Sequence, residues 1–296
     1  MKLKIAKFAS ATGIVCVAAL IPAVASAQTN SQPSDVDTHY GLFHMLDHGS
    51  SYGQGIFPEP FLVDDSDLEV NEARFDWIHT KGHDVTGDEL TAEIEKGFGP
   101  ATFEAELHYE RGVEGGQVTD GIGNIDLGAR IPLYQYIAPG FIDATLGGAV
   151  EVGIPVHSSV SKNTEFVPKI FGDLLIGKHV TLQAVTGYSM LFGGGEEGGA
   201  HAWEYGVDLG YSFTHEQLAI PHVQQLVPMF EISGETALNH GASGQTSLLG
   251  LAGFRVMTDA IGRVQPRLGI GFIFPLNSNA RDEAHWGIAT SLVFEN

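Results

Sequence analysis

Between Thr102 and Gly112 the chain reads TFEAELHYERG, two interleaved rows of side chains. Phe103, Ala105, Leu107 and Tyr109 form an apolar row, and Thr102, Glu104, Glu106, His108 and Glu110 a polar one. A period of two places the rows on opposite faces of an extended strand. The pattern recurs in about twelve runs, near 68–79, 89–97, 101–111, 122–132, 141–155, 165–176, 179–192, 201–214, 224–237, 245–257, 263–275 and 284–294. Most are as long as the roughly 9–11 residues with which a tilted strand crosses a bilayer, whereas strands of soluble domains average about 5–6. Two architectures accommodate such a chain. In a soluble β-sandwich the apolar row is sealed between sheets, and in an antiparallel transmembrane β-barrel it faces lipid.

The N-terminus bears on the compartment. Lys2, Lys4 and Lys7 precede the apolar stretch ATGIVCVAALIPAVA, and Ala25-Ser26-Ala27 is a small-residue cleavage motif. This predicts a signal peptide over 1–27, with export across the inner membrane and cleavage after Ala27. Cys16, the sole cysteine, would leave with it, so no disulfide holds the exported chain. Loss of the three lysines from 15 Lys+Arg leaves 12 against 36 Asp+Glu, moving the formal charge from −21 to −24. That balance argues against nucleic acid or an anionic membrane surface as partner. Beyond Ala27 no apolar run approaches the roughly 20 residues of a spanning helix.

Residues 28–66 are rich in Ser, Gly, Pro and His and carry no sustained period. They read as a mostly irregular periplasmic segment ahead of a barrel over 67–296. The joints between runs support that barrel. The three tightest, Gly97–Pro100, Gly177–His179 and Thr258–Gly262, fall at even-numbered positions. This suits short periplasmic turns alternating with longer external loops such as GVEGGQVTD and LNSNARDE. HEQLAIPHV is longer than that scheme asks.

Trp77, Tyr109, Trp203, Tyr211, Trp286 and Phe294 stand near run ends, while Ala73, Ala105, Ala129 and Leu209 occupy the middles. Interfacial aromatic girdles have that distribution. The polar row supplies candidate lumen and selectivity residues: Glu72, Arg74 and Asp76; Glu93 and Glu95; Glu104 and Glu106; Asp126 and Arg130; Glu204 and Asp208. Glu231, Glu235, Arg263, Gln265 and Arg267 continue it.

TDGIGNIDLGARIPLY followed by LGGAVEVGIPV resembles the Gly-Asp strand pair of the meta-pathway phenol-degradation (MetA-type) outer-membrane barrels, a transporter-type family. PMFEISGET, RVQPRLGIGFIFPLN and HWGIATSLVF resemble its last four strands, so the likeness covers about 68–296. It implies passage of aromatic or other hydrophobic small molecules. One departure is that Glu295-Asn296 follow Phe294, where such barrels usually end on an aromatic.

Three constellations bear on chemistry. His44 and His48, four apart beside Asp47 and with His39 nearby, have a zinc or copper spacing but no third ligand fixed by sequence. His157 with Ser158 and Ser159 pairs a base with a nucleophile, as barrel lipid hydrolases do at their rims. The carboxylate pairs have acid–base potential, yet a row of them is more simply a hydrated acidic lumen, laddered by Arg74, Arg130, Lys169, Arg263 and Arg267. The expectation is therefore a monomeric outer-membrane barrel of about twelve strands, with lipid and a small solute as partners. No enzyme activity, cofactor, metal or nucleic acid is expected. The rival is a soluble periplasmic or secreted β-sandwich that binds or scaffolds.

Overall fold

The computed structural model describes residues 57–64, 66, 71–98, 101–138, 140–195 and 197–295. The expected signal peptide with its cleavage after Ala27, and His39, His44 and His48, lie outside the described residues.

Alternation produces strands wherever it was read. They are β1 (Asn71–Lys81), β2 (Val85–Phe98), β3 (Ala101–Glu114), β4 (Gln117–Ala138), β5 (Ile142–Ile154), β6 (Thr164–Ile176) and β7 (Val180–Phe192). There follow β8 (His201–Tyr211), β9 (Phe213–Thr214), helix α1 (His215–Leu218), β10 (Val223–Ala237), β11 (Thr246–Thr258), β12 (Gln265–Pro275), helix α2 (Ser278–Glu283) and β13 (Trp286–Glu295). Each long strand pairs antiparallel with its sequence neighbour, the two-residue β9 merely prolonging the β8 side of β10. β13 pairs with β1 from Glu72↔Glu295 to Lys81↔Trp286, which closes a twelve-stranded barrel. The end where β1 begins and β13 finishes is called the base here, and the opposite end the rim.

The faces decide between the two architectures. Phe103, Leu107, Trp203 and Leu209 are 47%, 45%, 46% and 48% exposed on the outside of the barrel. A sandwich would have sealed them. Phe75, Ile94, Ile170, Phe254 and Phe272 extend this outer apolar surface, far larger than water-soluble monomers leave open. Lipid removes that cost, so the wall is built for a bilayer.

Several expectations need correction. GVEGGQVTD is not a loop. β3 and β4 stay paired to Glu114↔Gln117 and turn at Gly115 and Gly116, whose φ values are 56° and 82°. Two consecutive positive φ angles make a tight primed turn that follows strand twist and favours glycine. PLYQYIAP likewise continues β4 to Ala138, paired with β5. Strand that projects past the apolar layer has no reason to keep an apolar row, so alternation alone placed β4 at 122–132. LNSNARDE holds α2, begun where Asn277 accepts from Ala280 N at 2.9 Å. Arg263 lies exposed in the β11–β12 turn, since β12 starts only at Gln265. Nor is the interior uniformly polar. Val167, Phe171, Leu251, Ile273 and Val293 point inward and are buried. They can do so because the interior is filled there.

Candidate functional site: a filled base and an inner chamber

What fills it is the end of the segment read as periplasmic. Residues 57–64 and 66, FPEPFLVD and Ser66, are neither helix nor strand and run inside the barrel. Phe57, Glu59, Phe61, Val63 and Ser66 are all buried. Two prolines, Pro58 and Pro60, keep the stretch extended and lower its demand for hydrogen-bond partners.

The wall supplies the partners this short segment needs. Glu231 of β10, fully buried, accepts from the backbone N–H of Phe61 (2.9 Å), Leu62 (2.7 Å) and Val63 (3.1 Å). Arg74 of β1 and Arg255 of β11 both donate to the Pro60 carbonyl, at 2.5 and 3.1 Å. The Arg255 guanidinium also covers the Phe61 ring, 4.3 Å from its centroid. Arg267 of β12 donates to Glu59 at 2.8 Å, and also binds Glu295. The C-terminal departure noted in the sequence therefore has a structural use: Glu295 turns inward to that arginine while Phe294 keeps the outer row. Gln183 of β7 donates to the Pro58 carbonyl at 2.7 Å, and Ser66 donates to Asp173 of β6 at 2.5 Å. Lys169 of β6 holds Asp64 at 2.7 Å and contacts Glu151.

These contacts trace a path. Phe57 packs on Leu175 near the base, Val63 reaches Gly206 deeper in, and Ser66 returns toward Asp173 and Gln183 before β1 begins. The wall makes room with missing side chains. A Cβ on Gly269 would stand 2.6 Å from the Phe61 ring, and one on Gly206 2.7 Å from Val63.

The sequence-derived lumen residues turn inward and are buried or half-buried, save Arg263 in its exposed turn. On the β1–β4 wall they come together. Glu93, Glu95 and Glu104 offer carboxylate oxygens within 4.8 Å of one another, and Arg130 contacts Glu95 and lies 3.6 Å from Glu104. Arg74 bridges Asp76 at 2.6 Å and Glu93 at 3.8 Å. Glu72 is buried at the base, in register with Glu95 and Glu295. Asp126 sits 2.8 Å from His108, whose ring also faces Glu106 and Glu89 at 3.3 Å each. Glu204 and Asp208 stand apart on β8, Asp208 in register with Glu231. Arg74 and Arg130 thus pair with acids of this wall, while Lys169 pairs with Asp64 and Glu151 and Arg267 with Glu59 and Glu295.

Above the segment lies a chamber of about 200 Å³. Asp76, Glu89, Glu93, Glu106 and His108 line one wall, Glu204 and Glu235 another. Glu151, Lys169, Arg74 and the segment's own Asp64 complete its charged lining, while Phe61, Leu62, Val63, Ile78 and Val185 form an apolar part. Sequence reading passed over the docking residues Arg255 and Gln183, the carboxylate-bridging role of His108, the pairing of Asp64, and the FPEPF segment itself. Inward parity was available for the first three; nothing local marked the segment as interior.

The other candidates have plainer uses. Ser158 donates to the Ile122 carbonyl at 2.6 Å and Ser159 to that of Asp120 at 2.5 Å. They tie the β5–β6 loop to the β3–β4 hairpin. Trp77, Trp203, Tyr211 and Trp286 lie exposed on the outer face near strand ends, with Tyr109 and Phe294 half-exposed on the same face.

No protein-family model matches the sequence, and no curated protein matches it. Among solved structures it is similar to the COG4313 outer membrane channel from Pseudomonas putida F1, with a TM-score of 0.53 and 11% identity over 80% of this chain and 98% of that one. The NanC porin (TM-score 0.42, 8% identity, 76% of this chain and 98% of that one) and the KdgM porin (0.41, 12%, 75% and 99%) also align, too loosely to support an argument. Identity this low establishes architecture alone: the chain has the fold of an outer-membrane β-barrel channel.

Proposed function

We propose that this chain is an outer-membrane channel for passive passage of small solutes, with an acidic lumen narrowed by its own residues 57–66. In this reading the leader ends at Ala27, the barrel works as a monomer, and the exposed tryptophans and tyrosines anchor it at the lipid interfaces. The MetA-type resemblance supports hydrophobic or aromatic solutes. The carboxylates of the chamber favour cationic or polar neutral ones, because their field concentrates cations and repels anions. No catalytic step is assigned to them.

One observation carries the proposal: a lipid-compatible closed wall encloses a charged chamber whose floor is a docked segment rather than a strand. A segment held by side-chain contacts can leave without breaking the barrel. Passage then requires it to shift toward the base. The test is reconstitution of the folded protein into planar bilayers. Discrete, cation-selective conductance, lowered in a Glu104→Gln/Glu106→Gln variant, is the expected result. Silence across voltages and solutes, including in variants that undock the segment, would overturn it.

A further inference from the structure

Arg255 is buried without a counter-ion. It is 2% exposed, and among the described residues no carboxylate pairs with its guanidinium. Ser291 Oγ accepts from it at 2.8 Å and the Pro60 carbonyl at 3.1 Å, while its Nε has no acceptor. The neighbouring arginines differ: Arg74 pairs with Asp76 and Glu93, and Arg267 with Glu59 and Glu295. Burying a guanidinium against neutral acceptors alone is costly. The group that relieves it is a carboxylate, whose two oxygens match the guanidinium fork.

The docked segment stands where such a group would bind. Its Pro60 carbonyl accepts from Arg74 and Arg255 together, at 2.5 and 3.1 Å. The ring of the next residue, Phe61, lies against the Arg255 guanidinium, 4.3 Å from centroid to Cζ, a cation–π contact. Gly269 leaves the slot for that ring, since a Cβ there would stand 2.6 Å from it. An oxygen and an aromatic ring thus meet one arginine, joined through N, Cα and Cβ of Phe61. In 4-phenylbutyrate a methylene replaces each of those atoms. It reproduces the spacing and adds the negative charge that a peptide carbonyl lacks. The arginines stand close to the base ends of their strands, β1 beginning at Asn71, β11 ending at Thr258 and β12 beginning at Gln265. The acid-lined chamber lies above the segment, so an anion arriving at the base need not cross it.

We propose that Arg74, Arg255 and the ring slot at Gly269 form a binding site for small arylalkanoate anions, which the docked segment fills in their absence. The carboxylate takes the place of the Pro60 carbonyl and the aryl group that of Phe61. Such a ligand binds only where the segment has left, and so draws the population toward the undocked state. This rests on the reading in which undocking opens the channel, and it supplies a chemical signal for that step. The chamber's acids select what passes; the arginines sense an effector.

The test uses the full detergent-folded protein carrying a Leu62→Cys reporter in a Cys16→Ala background. 4-Phenylbutyrate should speed labelling by an impermeant maleimide at least tenfold and saturably, and the uncharged 4-phenylbutan-1-ol less than twofold. Calorimetric titration then examines the site itself. Glu231→Ala loosens the segment without touching the ligand, so it should bind the acid at least tenfold more tightly. Arg255→Gln and Gly269→Val also loosen the segment, but each removes one half of the site, the charge or the ring slot. If their roles were merely structural they too would bind more tightly; as parts of the site they should bind at least tenfold more weakly. Each variant is checked for heat-modifiable mobility, so a misfolded one is set aside and the other still decides. Equal binding of acid and alcohol, tighter or unchanged binding in a folded Arg255→Gln or Gly269→Val protein, or unchanged binding in a Glu231→Ala protein whose labelling is accelerated would overturn the inference. Bilayer recordings on the same preparation separate the two readings. Conductance without acid binding removes this site and keeps the channel; acid binding by a silent barrel does the reverse.

Discussion

The carboxylate of Glu231 is the point on which docking of the segment turns, and its removal is the sharpest perturbation available. It accepts three consecutive backbone N–H groups, at 2.9, 2.7 and 3.1 Å, in a site without water access. Hydrogen bonds to a charged group contribute roughly 1.5–3 kcal/mol each. They share one acceptor, so they do not simply add, and about 3–5 kcal/mol is a fair range for the three together. Burial of Phe57, Phe61 and Val63 contributes on the order of 2 kcal/mol apiece, against roughly 1–2 kcal/mol of backbone entropy for every residue held. Apolar burial alone therefore does not hold the segment in place, and the polar latch decides. Glu231→Ala should raise the undocked population by roughly two to four orders of magnitude, with Glu231→Gln intermediate, since one amide oxygen still accepts. Cys16 is the sole cysteine, so in a Cys16→Ala background a Leu62→Cys reporter is the single thiol. Its rate of reaction with a membrane-impermeant maleimide reads undocking directly, and open probability in bilayers reads its consequence. Reaction rates within twofold of each other with and without Glu231→Ala, in protein that stays heat-modifiable, would refute the latch.

Other consequences are as direct. Gly269→Val forces a side chain into the Phe61 ring, where even a Cβ would lie 2.6 Å away; overpacking of about 1–3 kcal/mol should speed Leu62→Cys labelling without loss of barrel fold. Leu107→Arg or Leu209→Arg places a charge on the outer face, and should lower stability to urea in lipid vesicles by about 2–4 kcal/mol if these positions lie at mid-bilayer. In the turn beyond β11, hydrogen bonds from His222 (2.6 Å) and then Gln224 (2.5 Å) hold the Asp259 carboxyl below its usual range. A depressed folded-state value means that this link helps at pH above the ordinary carboxylate range and is lost as pH falls through the lowered one. Titration of Asp259 by NMR in the His222→Ala variant should move up toward the ordinary range, Gln224 still donating to it.

Alternation was enough to read the strands, because a sheet with one face in lipid and one in water repeats every two residues whatever its neighbours do. Phe103, Leu107, Trp203 and Leu209 announced the outer face, and Glu93, Glu104, Asp126 and Arg130 the inner one, with no reference to tertiary contacts. Closure was legible only as a count of strands. The lengths of β3 and β4 were not legible, since beyond the membrane layer pairing alone sustains a strand and Gly115-Gly116 reads equally as loop.

The filled base was decided by tertiary structure alone. FPEPFLVD has no period, and its place inside the barrel depends on Glu231, Arg255, Gln183 and Lys169, residues more than a hundred positions away. Each of them fits the polar row equally well as a solvated lumen side chain. A local pattern reports which way a side chain points, because the backbone fixes that; it carries no information on what arrives to meet it, because that is settled by which distant groups the closed wall brings within hydrogen-bonding reach.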